Sequence, residues 1–328
     1  MEFGLRRAQG PDAGLYGSRA AIIGGCVATS NVLAGQMFDV KVSGTHAHSW
    51  VMSFDREYEA FMAYANTYPS HCLLLVDTYD TLKSGVPNAI RVFDYIKSKG
   101  YAPVGIRLDS GDLAYLSKQA RKMLDEAGHQ DVKIFASGDI DEDILRSLYL
   151  QGAKIDVWGI GTKLITSSDN PALGGVYKMC AIYKENVVVP KMKLSDATEK
   201  TTNPGIKTTY RIYNKNGNAN ADLIALYDEK FDVTKPLTIF HPVEHYKKKT
   251  FDEYSMRDLM IDVFVEGKQV YNSPSLNQIA AYHKEIKAEF FEENIRLTNP
   301  HVYKVDLSDK LFDLKNKLLF KTTEDFTI

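Results

Sequence analysis

Cysteine is scarce in this 328-residue chain, which has only Cys26, Cys72 and Cys180. Three thiols far apart make neither a disulfide framework nor a zinc-ligand spacing, and their apolar contexts fit buried thiols in a reducing cytoplasm. Long apolar runs are missing too. No stretch of about 18 apolar residues exists, which argues against a spanning helix. The opening Met1-Glu2, with Arg6 and Arg7 close behind, lacks the apolar segment of a signal peptide. Excess charge of one sign is also absent: 40 basic against 42 acidic residues leave a net charge of −2. Such a chain has no general attraction for nucleic acid or anionic membrane, so any phosphate must be gripped locally. Neither an internal repeat nor a low-complexity tract is present.

What remains is the composition of a globular protein, 44% hydrophobic and 25% charged, long enough for one large domain or two moderate ones. Up to about residue 175, short apolar runs alternate with amphipathic segments: Ala20–Ile23, Val40–Val42, Cys72–Val76, Val104–Leu108, Val132–Ala136 and Ile155–Trp158. Helices are expected over Asn31–Phe38 (capped by Thr29 or Ser30), from Ser53 to near Pro69, and over Pro87–Ser98, Leu113–Glu126 and Glu142–Leu150. Repeated β-α units with loops this short predict an α/β fold. An irregular (β/α) barrel is favoured over a doubly wound sheet because polar residues recur at every strand end. Residues 176–328 read as a smaller α+β appendage. It has a strand pair at Lys178–Tyr183 with Val187–Pro190, strand-like runs of alternating polarity at Thr208–Ile212 and Asp222–Tyr227, and a polar loop over Lys193–Lys207. A hairpin over Val263–Tyr271, a long helix over Ser275–Leu297 and a closing Asp309–Leu319 complete it.

Strand ends are where α/β proteins bind ligands, and five of them here carry candidate groups. Ile106-Arg107-Leu108-Asp109-Ser110-Gly111-Asp112 concentrates an arginine and two carboxylates. Arg107 and Asp109 also read as a structural ion pair, with Asp112 or Ser110 as the cap of the following helix. Gly159-Ile160-Gly161-Thr162 and Ser137-Gly138-Asp139 offer backbone N–H groups suited to phosphate. Gly44-Thr45-His46-Ala47-His48 supplies two histidines, either of which fits a nucleophile, a proton shuttle or a backbone-bonded loop residue. Asp77, at the end of the next strand, is the expected partner that fixes a histidine tautomer; Asp80 reads as a helix-start carboxylate. At the N-terminus Phe3, Arg6 and Arg7 suit a flat anionic heteroaromatic, by stacking and by a bidentate bond.

The set FGLRRAQG (3–10), TSNVLAG (29–35), GTHAHSWVMSF (44–54), LLVDTYDTL (74–82), IRLDSGDL (106–113), ASGDIDE (136–142), GIGT (159–162) and PALGGVYK (171–178) resembles the nicotinate phosphoribosyltransferase family in content and order. The resemblance implies a type II phosphoribosyltransferase of NAD salvage. Such an enzyme joins nicotinate to 5-phosphoribosyl diphosphate, giving nicotinate mononucleotide and pyrophosphate, with ATP hydrolysis coupled through a phosphohistidine. It implies that His48 is the phosphorylated residue, that Asp77 orients it, and that Arg107 and Asp109 stand beside the ribose and pyrophosphate. Ser137, Gly138, Asp139, Gly159, Gly161 and Thr162 match the loops around the phosphoribosyl group, and Phe3 and Arg6 the ring-gripping positions. Magnesium on the pyrophosphate and a homodimer with shared active sites also follow from the resemblance. Nicotinamide-using relatives carry an Asp near the position of Ser30; neutral Ser30 and Asn31 suit a carboxylate instead.

Family members start well before the first of these motifs, with a segment that builds part of the appended domain. The appendage is therefore expected to lack partner strands. Two other readings compete with the enzyme: a truncated barrel that binds phosphoribosyl ligands without turnover or pairs with a full-length subunit, and a metal-dependent hydrolase using His46, His48, Asp77 and Asp109.

Overall fold

The computed structural model describes residues 1–195 and 201–324. The chain divides into two compact units, Met1–Leu173 with Pro274–Ala281, and Gly174–Ser273 with Tyr282–Ile328.

The first unit opens with α1 (Pro11–Ile23), α2 (Val32–Phe38), α3 (His48–Met52) and α4 (Glu57–Thr67). It then alternates β1 (Leu73–Leu75), α5 (Val86–Ser98), β2 (Gly105–Leu108), α6 (Leu113–Glu126), β3 (Lys133–Gly138), α7 (Glu142–Leu150), β4 (Val157–Ile160) and α8 (Thr162–Ile165). The strands form one parallel sheet in sequential order, β1-β2-β3-β4. Parallel strands are buried on both faces, which is why β1 is an uninterrupted Leu73-Leu74-Leu75. Phe61, Leu74, Phe93, Ile96, Ile106, Leu108, Leu124 and Ile134 make the core. Burial of each such side chain contributes about 1.5–3 kcal/mol. The starts of α6 and α7 are capped by carboxylates, that of α6 by the expected Asp112. Asp112 accepts from the Tyr115 N–H (2.9 Å) and Asp141 from the Ile144 N–H (2.7 Å).

The sheet is not a closed barrel. Beyond β4 it continues through single-residue parallel bridges, Ile160 to Glu2, Glu2 to Thr29 and Thr29 to Val42. These staves are too short to form a ladder, so Val40–Val42 contributes one bridge in place of a strand. At the opposite edge of β1, side chains satisfy the backbone. Thr45 Oγ1 donates to the Leu73 carbonyl (2.7 Å), and His46 Nε2 accepts from the Leu75 N–H (3.1 Å). The barrel expectation failed where polar side chains replace strand pairing.

Three local expectations are also corrected. Ala20–Ile23 is the last turn of α1, whose buried residues Leu15, Ser18, Ala21 and Ile22 keep helical spacing from further upstream. The cap of α2 is Asn31, whose Oδ1 accepts from the Ala34 N–H (3.2 Å), so neither Thr29 nor Ser30 caps it. Ser53 ends α3, and α4 starts only after Arg56.

In the second unit β5 (Ala181–Lys184) and β6 (Val187–Pro190) form a hairpin. β7 (Lys207–Tyr213), β8 (Ala219–Leu226), β9 (Leu237–Phe240), β10 (Lys248–Phe251) and β11 (Ser255–Asp258) precede a small hairpin of β12 (Phe264–Val265) and β13 (Lys268–Gln269). After them come α9 (Leu276–Lys287), whose residues up to Ala281 group with the first unit, then α10 (Glu292–Ile295), β14 (Val305–Leu307) and α11 (Asp309–Glu324). Six of these strands make a mixed sheet, β10-β9-β14-β8-β7-β11, over a core of Ile212, Leu223, Ala225 and Ile239. The single helix expected over Ser275–Leu297 is broken after Lys287. There the Glu289 carbonyl accepts from the Ala219 N–H, and its carboxylate takes Tyr213 and Arg257. Tertiary pairing overrides the helical pattern. Of the polar loop expected over Lys193–Lys207, residues 196–200 lie outside the described residues. Among the described residues no helix is long and apolar enough to cross a membrane.

Candidate active site

The staves of the first unit deliver their C-terminal ends to one cleft of about 540 Å³. Glu2 leads into Phe3, Arg6 and Arg7, Thr29 into Ser30, and Val42 into Gly44–His48. From the sheet itself come Arg107 and Asp109 after β2, Ser137–Asp139 after β3, and Gly159, Gly161 and Thr162 at β4. Nearly all of the sequence-predicted positions thus converge.

At the centre stands a three-way polar cluster. Arg107 Nε donates to Ser137 Oγ and its Nη2 to Asp109 Oδ1, both at 2.7 Å, while Ser137 Oγ donates to Asp109 Oδ1. Burial works to raise the Asp109 carboxyl, but the hydrogen bonds from Ser137 and Arg107 and the nearby guanidinium outweigh it and hold it below the usual carboxylate range. One Asp109 oxygen is consumed by this cluster; the other, Oδ2, lies 3.7 Å from His48 Nε2. The ion-pair and catalytic readings of Arg107–Asp109 are therefore compatible, since the pair fixes one oxygen and leaves the second toward the cleft.

Phe3 forms part of the floor, with the Arg107 guanidinium carbon 5.5 Å from its ring centroid. A Cβ at Gly159 would stand 2.7 Å from Phe3 Cδ2, so only glycine lets the ring lie there. Gly138 adopts φ +122°, and a Cβ there would press the Asp109 carbonyl at 2.8 Å. The segment that carries Phe3 is anchored by the fully buried Glu2. Its carboxylate accepts from the Gly4 N–H, from Ser18 Oγ (2.9 Å) and from Thr29 Oγ1.

The two histidines separate cleanly. His46 is 8% exposed, and its Nε2 is committed to the Leu75 N–H. Burial pushes its pKa down to about 4, so the ring is neutral, as an acceptor must be. His48, the first residue of α3, faces the cleft with its side chain 38% exposed. Its Nε2 lies 3.9 Å from Asp77 Oδ1, too long for a hydrogen bond, while Nδ1 is 3.1 Å from Thr78 Oγ1. Asp77 uses Oδ2 to accept from the Asp109 N–H (2.8 Å) and Ser110 Oγ (2.7 Å), which leaves Oδ1 buried and unpaired.

One predicted cleft residue, Asn31, is placed otherwise, while Asp80 takes its expected place. Asn31 is buried, and its amide donates to the Gly14 carbonyl (3.3 Å) while its oxygen caps α2, so it does not line the cleft. Asp80 caps the turn after β1 by accepting from the Leu82 and Lys83 N–H groups, as a helix-start carboxylate should. A hydrolase reading needs His46 as a metal ligand, and its nitrogen is occupied. Among the described residues no group of three or more His, Cys, Asp or Glu has metal-site geometry. Sequence reasoning missed Glu2 and Thr78. Glu2 adjoins one quoted motif and Thr78 lies inside another, but their partners come from distant segments.

Residues 1–235 match the family model described as nicotinate phosphoribosyltransferase (NAPRTase) family, and residues 206–315 match the nicotinate phosphoribosyltransferase C-terminal domain. The nicotinate phosphoribosyltransferase of Bacillus subtilis (strain 168) is 49% identical over 316 residues, covering 96% of this chain and 64% of that protein. The human nicotinate phosphoribosyltransferase is 33% identical over 371 residues, covering 97% and 68%. A crystal structure of human nicotinic acid phosphoribosyltransferase superposes with a TM-score of 0.80 at 30% identity, covering 97% of this chain and 70% of that one. The chain thus spans about two thirds of the length of its relatives. It belongs to the nicotinate phosphoribosyltransferase family.

Proposed function

We propose that this chain carries the catalytic site of a nicotinate phosphoribosyltransferase of NAD salvage, coupling nicotinate mononucleotide synthesis to ATP hydrolysis through phosphorylated His48. The observation that carries this reading is the Arg107–Asp109–Ser137 cluster, set among strand-end loops on one cleft. Displacement of pyrophosphate from the ribose by the nicotinate nitrogen passes through an oxocarbenium-like state. Asp109, kept ionised by its neighbours, stabilises that positive charge. Ser137–Asp139 with Gly159, Gly161 and Thr162 bind the phosphoribosyl group. Phe3 stacks on the pyridine ring, and Arg6 pairs with its carboxylate. Ser30 lines the cleft as a neutral donor, which fits nicotinate better than an acceptor would.

Asp109 Oδ2 and Asp139 bring carboxylate oxygens to the cleft, the hard donors magnesium takes, and would hold that ion beside the pyrophosphate. Bound there, it offsets the leaving group's charge. In the coupling step the His48 ring nitrogen takes the γ-phosphoryl group of ATP. A P–N bond forms, the β–γ P–O bond breaks, and ADP leaves. Hydrolysis of that phosphohistidine after transfer restores the ring. The active form is a homodimer with shared sites.

The test is nicotinate mononucleotide synthesis from labelled nicotinate and 5-phosphoribosyl diphosphate, with and without ATP. Wild type gives product stimulated by ATP, and His48→Ala loses the stimulation. Unchanged stimulation in that variant removes the role of His48. Calorimetric binding of 5-phosphoribosyl diphosphate with no product removes the enzymatic reading in favour of a binding module.

A further inference from the structure

The His48 ring makes one hydrogen bond to the described residues, and its partner is Thr78. We infer that Thr78 is a positioning residue for His48, holding the imidazole so that its Nε2 edge stays between the Asp77 and Asp109 carboxylates. The inference rests on the phosphohistidine reading above and extends it.

The geometry is asymmetric. Nδ1 lies 3.1 Å from Thr78 Oγ1, within hydrogen-bond reach, whereas Nε2 lies 3.9 Å from Asp77 Oδ1 and 3.7 Å from Asp109 Oδ2. The carboxylates supply the field at this edge, and among the described residues the hydroxyl supplies the one directional restraint. A threonine hydroxyl suits this post because it donates or accepts, so it follows the ring when its proton shifts between nitrogens. A β-branched side chain also has few χ1 rotamers, which keeps the hydroxyl in place.

Thr78 itself stands on a fixed loop. On one side Asp77 is tied to the Asp109 N–H and Ser110 Oγ; on the other, Asp80 accepts from the Leu82 and Lys83 N–H groups. The four residues Asp77–Asp80 are therefore anchored at both ends. His48, at the first turn of the five-residue α3, has its side chain 38% exposed, so burial alone does not fix the ring. With the bond gone, the ring is free to turn about χ2 and present a carbon edge to the cleft.

The test measures acid-labile phosphoenzyme formation from γ-labelled ATP in single turnover, using the full chain and Thr78→Val, Thr78→Ser and His48→Ala. Thr78→Val is expected to slow labelling at saturating ATP by about tenfold, the equivalent of one hydrogen bond. The half-saturating ATP concentration should stay within about twofold, because Thr78 orients the acceptor and not the nucleotide. Thr78→Ser restores the hydroxyl and recovers labelling to within about threefold, which a loss of folding or packing would not do. Wild-type labelling in Thr78→Val, together with loss of label in His48→Ala, overturns the role of Thr78 and leaves the phosphohistidine intact. Persistent label in His48→Ala overturns both. Thr78→Ser as slow as Thr78→Val shows that shape matters in place of the hydroxyl, and it also overturns the inference.

Discussion

His46 and His48 stand two residues apart and do opposite work. His46 closes the free edge of β1 as a neutral acceptor, and His48 turns its ring to the cleft. His46→Ala leaves the Leu75 N–H unpaired in a buried place, at a cost of about 1–3 kcal/mol at neutral pH. The pH dependence of that cost is specific. With a folded-state pKa of about 4 against 6.5 unfolded, the unfolded chain binds the extra proton between those values. Stability from this residue is therefore complete above pH 6.5 and falls as pH drops toward 4, by at most roughly 3 kcal/mol. Urea unfolding of both proteins at pH 7.5 and pH 5 should show the gap between wild type and His46→Ala narrowing at the lower pH. An unchanged gap contradicts a buried neutral His46. Ser30→Asp tests substrate choice in the same cleft. It should cut the rate with nicotinate by about tenfold or more relative to nicotinamide, read as the ratio of kcat/KM values.

At the scale of elements, α6 and α7 were legible because each has a carboxylate cap, an amphipathic repeat and a glycine after it. Asp112→Ala should lower stability by about 1 kcal/mol in urea unfolding, as the loss of an N-cap does. Gly138→Ala should do more. It forces a side chain into φ +122° and against the Asp109 carbonyl, so both stability and affinity for 5-phosphoribosyl diphosphate fall, the latter by about tenfold in calorimetry. Illegible were elements whose bonds come from far away. α3 is five residues long and has no side-chain cap, and the break after Lys287 depends on residues near 213, 219 and 257. Local pattern cannot anticipate a competitor from another part of the chain.

For the whole molecule, the parallel order of β1–β4 followed from alternating apolar runs and helices, but closure of the sheet did not. Where a barrel needs further strands, this chain uses Glu2, Thr29 and Val42 as single bridges and Thr45 and His46 as side-chain substitutes. No periodicity encodes a one-residue stave. The cleft was nonetheless readable. Most candidate groups lie directly after an apolar run, and parallel topology brings those points together. Asn31 misled because an amide that caps a helix and one that grips a ligand look alike in sequence. A net charge of −2 gives no long-range pull on a polyanion, so function depends on the local balance of Arg6, Arg7 and Arg107 against Asp109 and Asp139.

That balance centres on Asp109, and its substitution is the decisive measurement. With nicotinate, 5-phosphoribosyl diphosphate, magnesium and ATP all saturating, wild type should release nicotinate mononucleotide and pyrophosphate in equal amounts. Asp109→Asn should lower kcat by about 10²-fold or more, the scale of losing one preorganised electrostatic contact, while 5-phosphoribosyl diphosphate still binds. Wild-type kcat in Asp109→Asn would contradict the account.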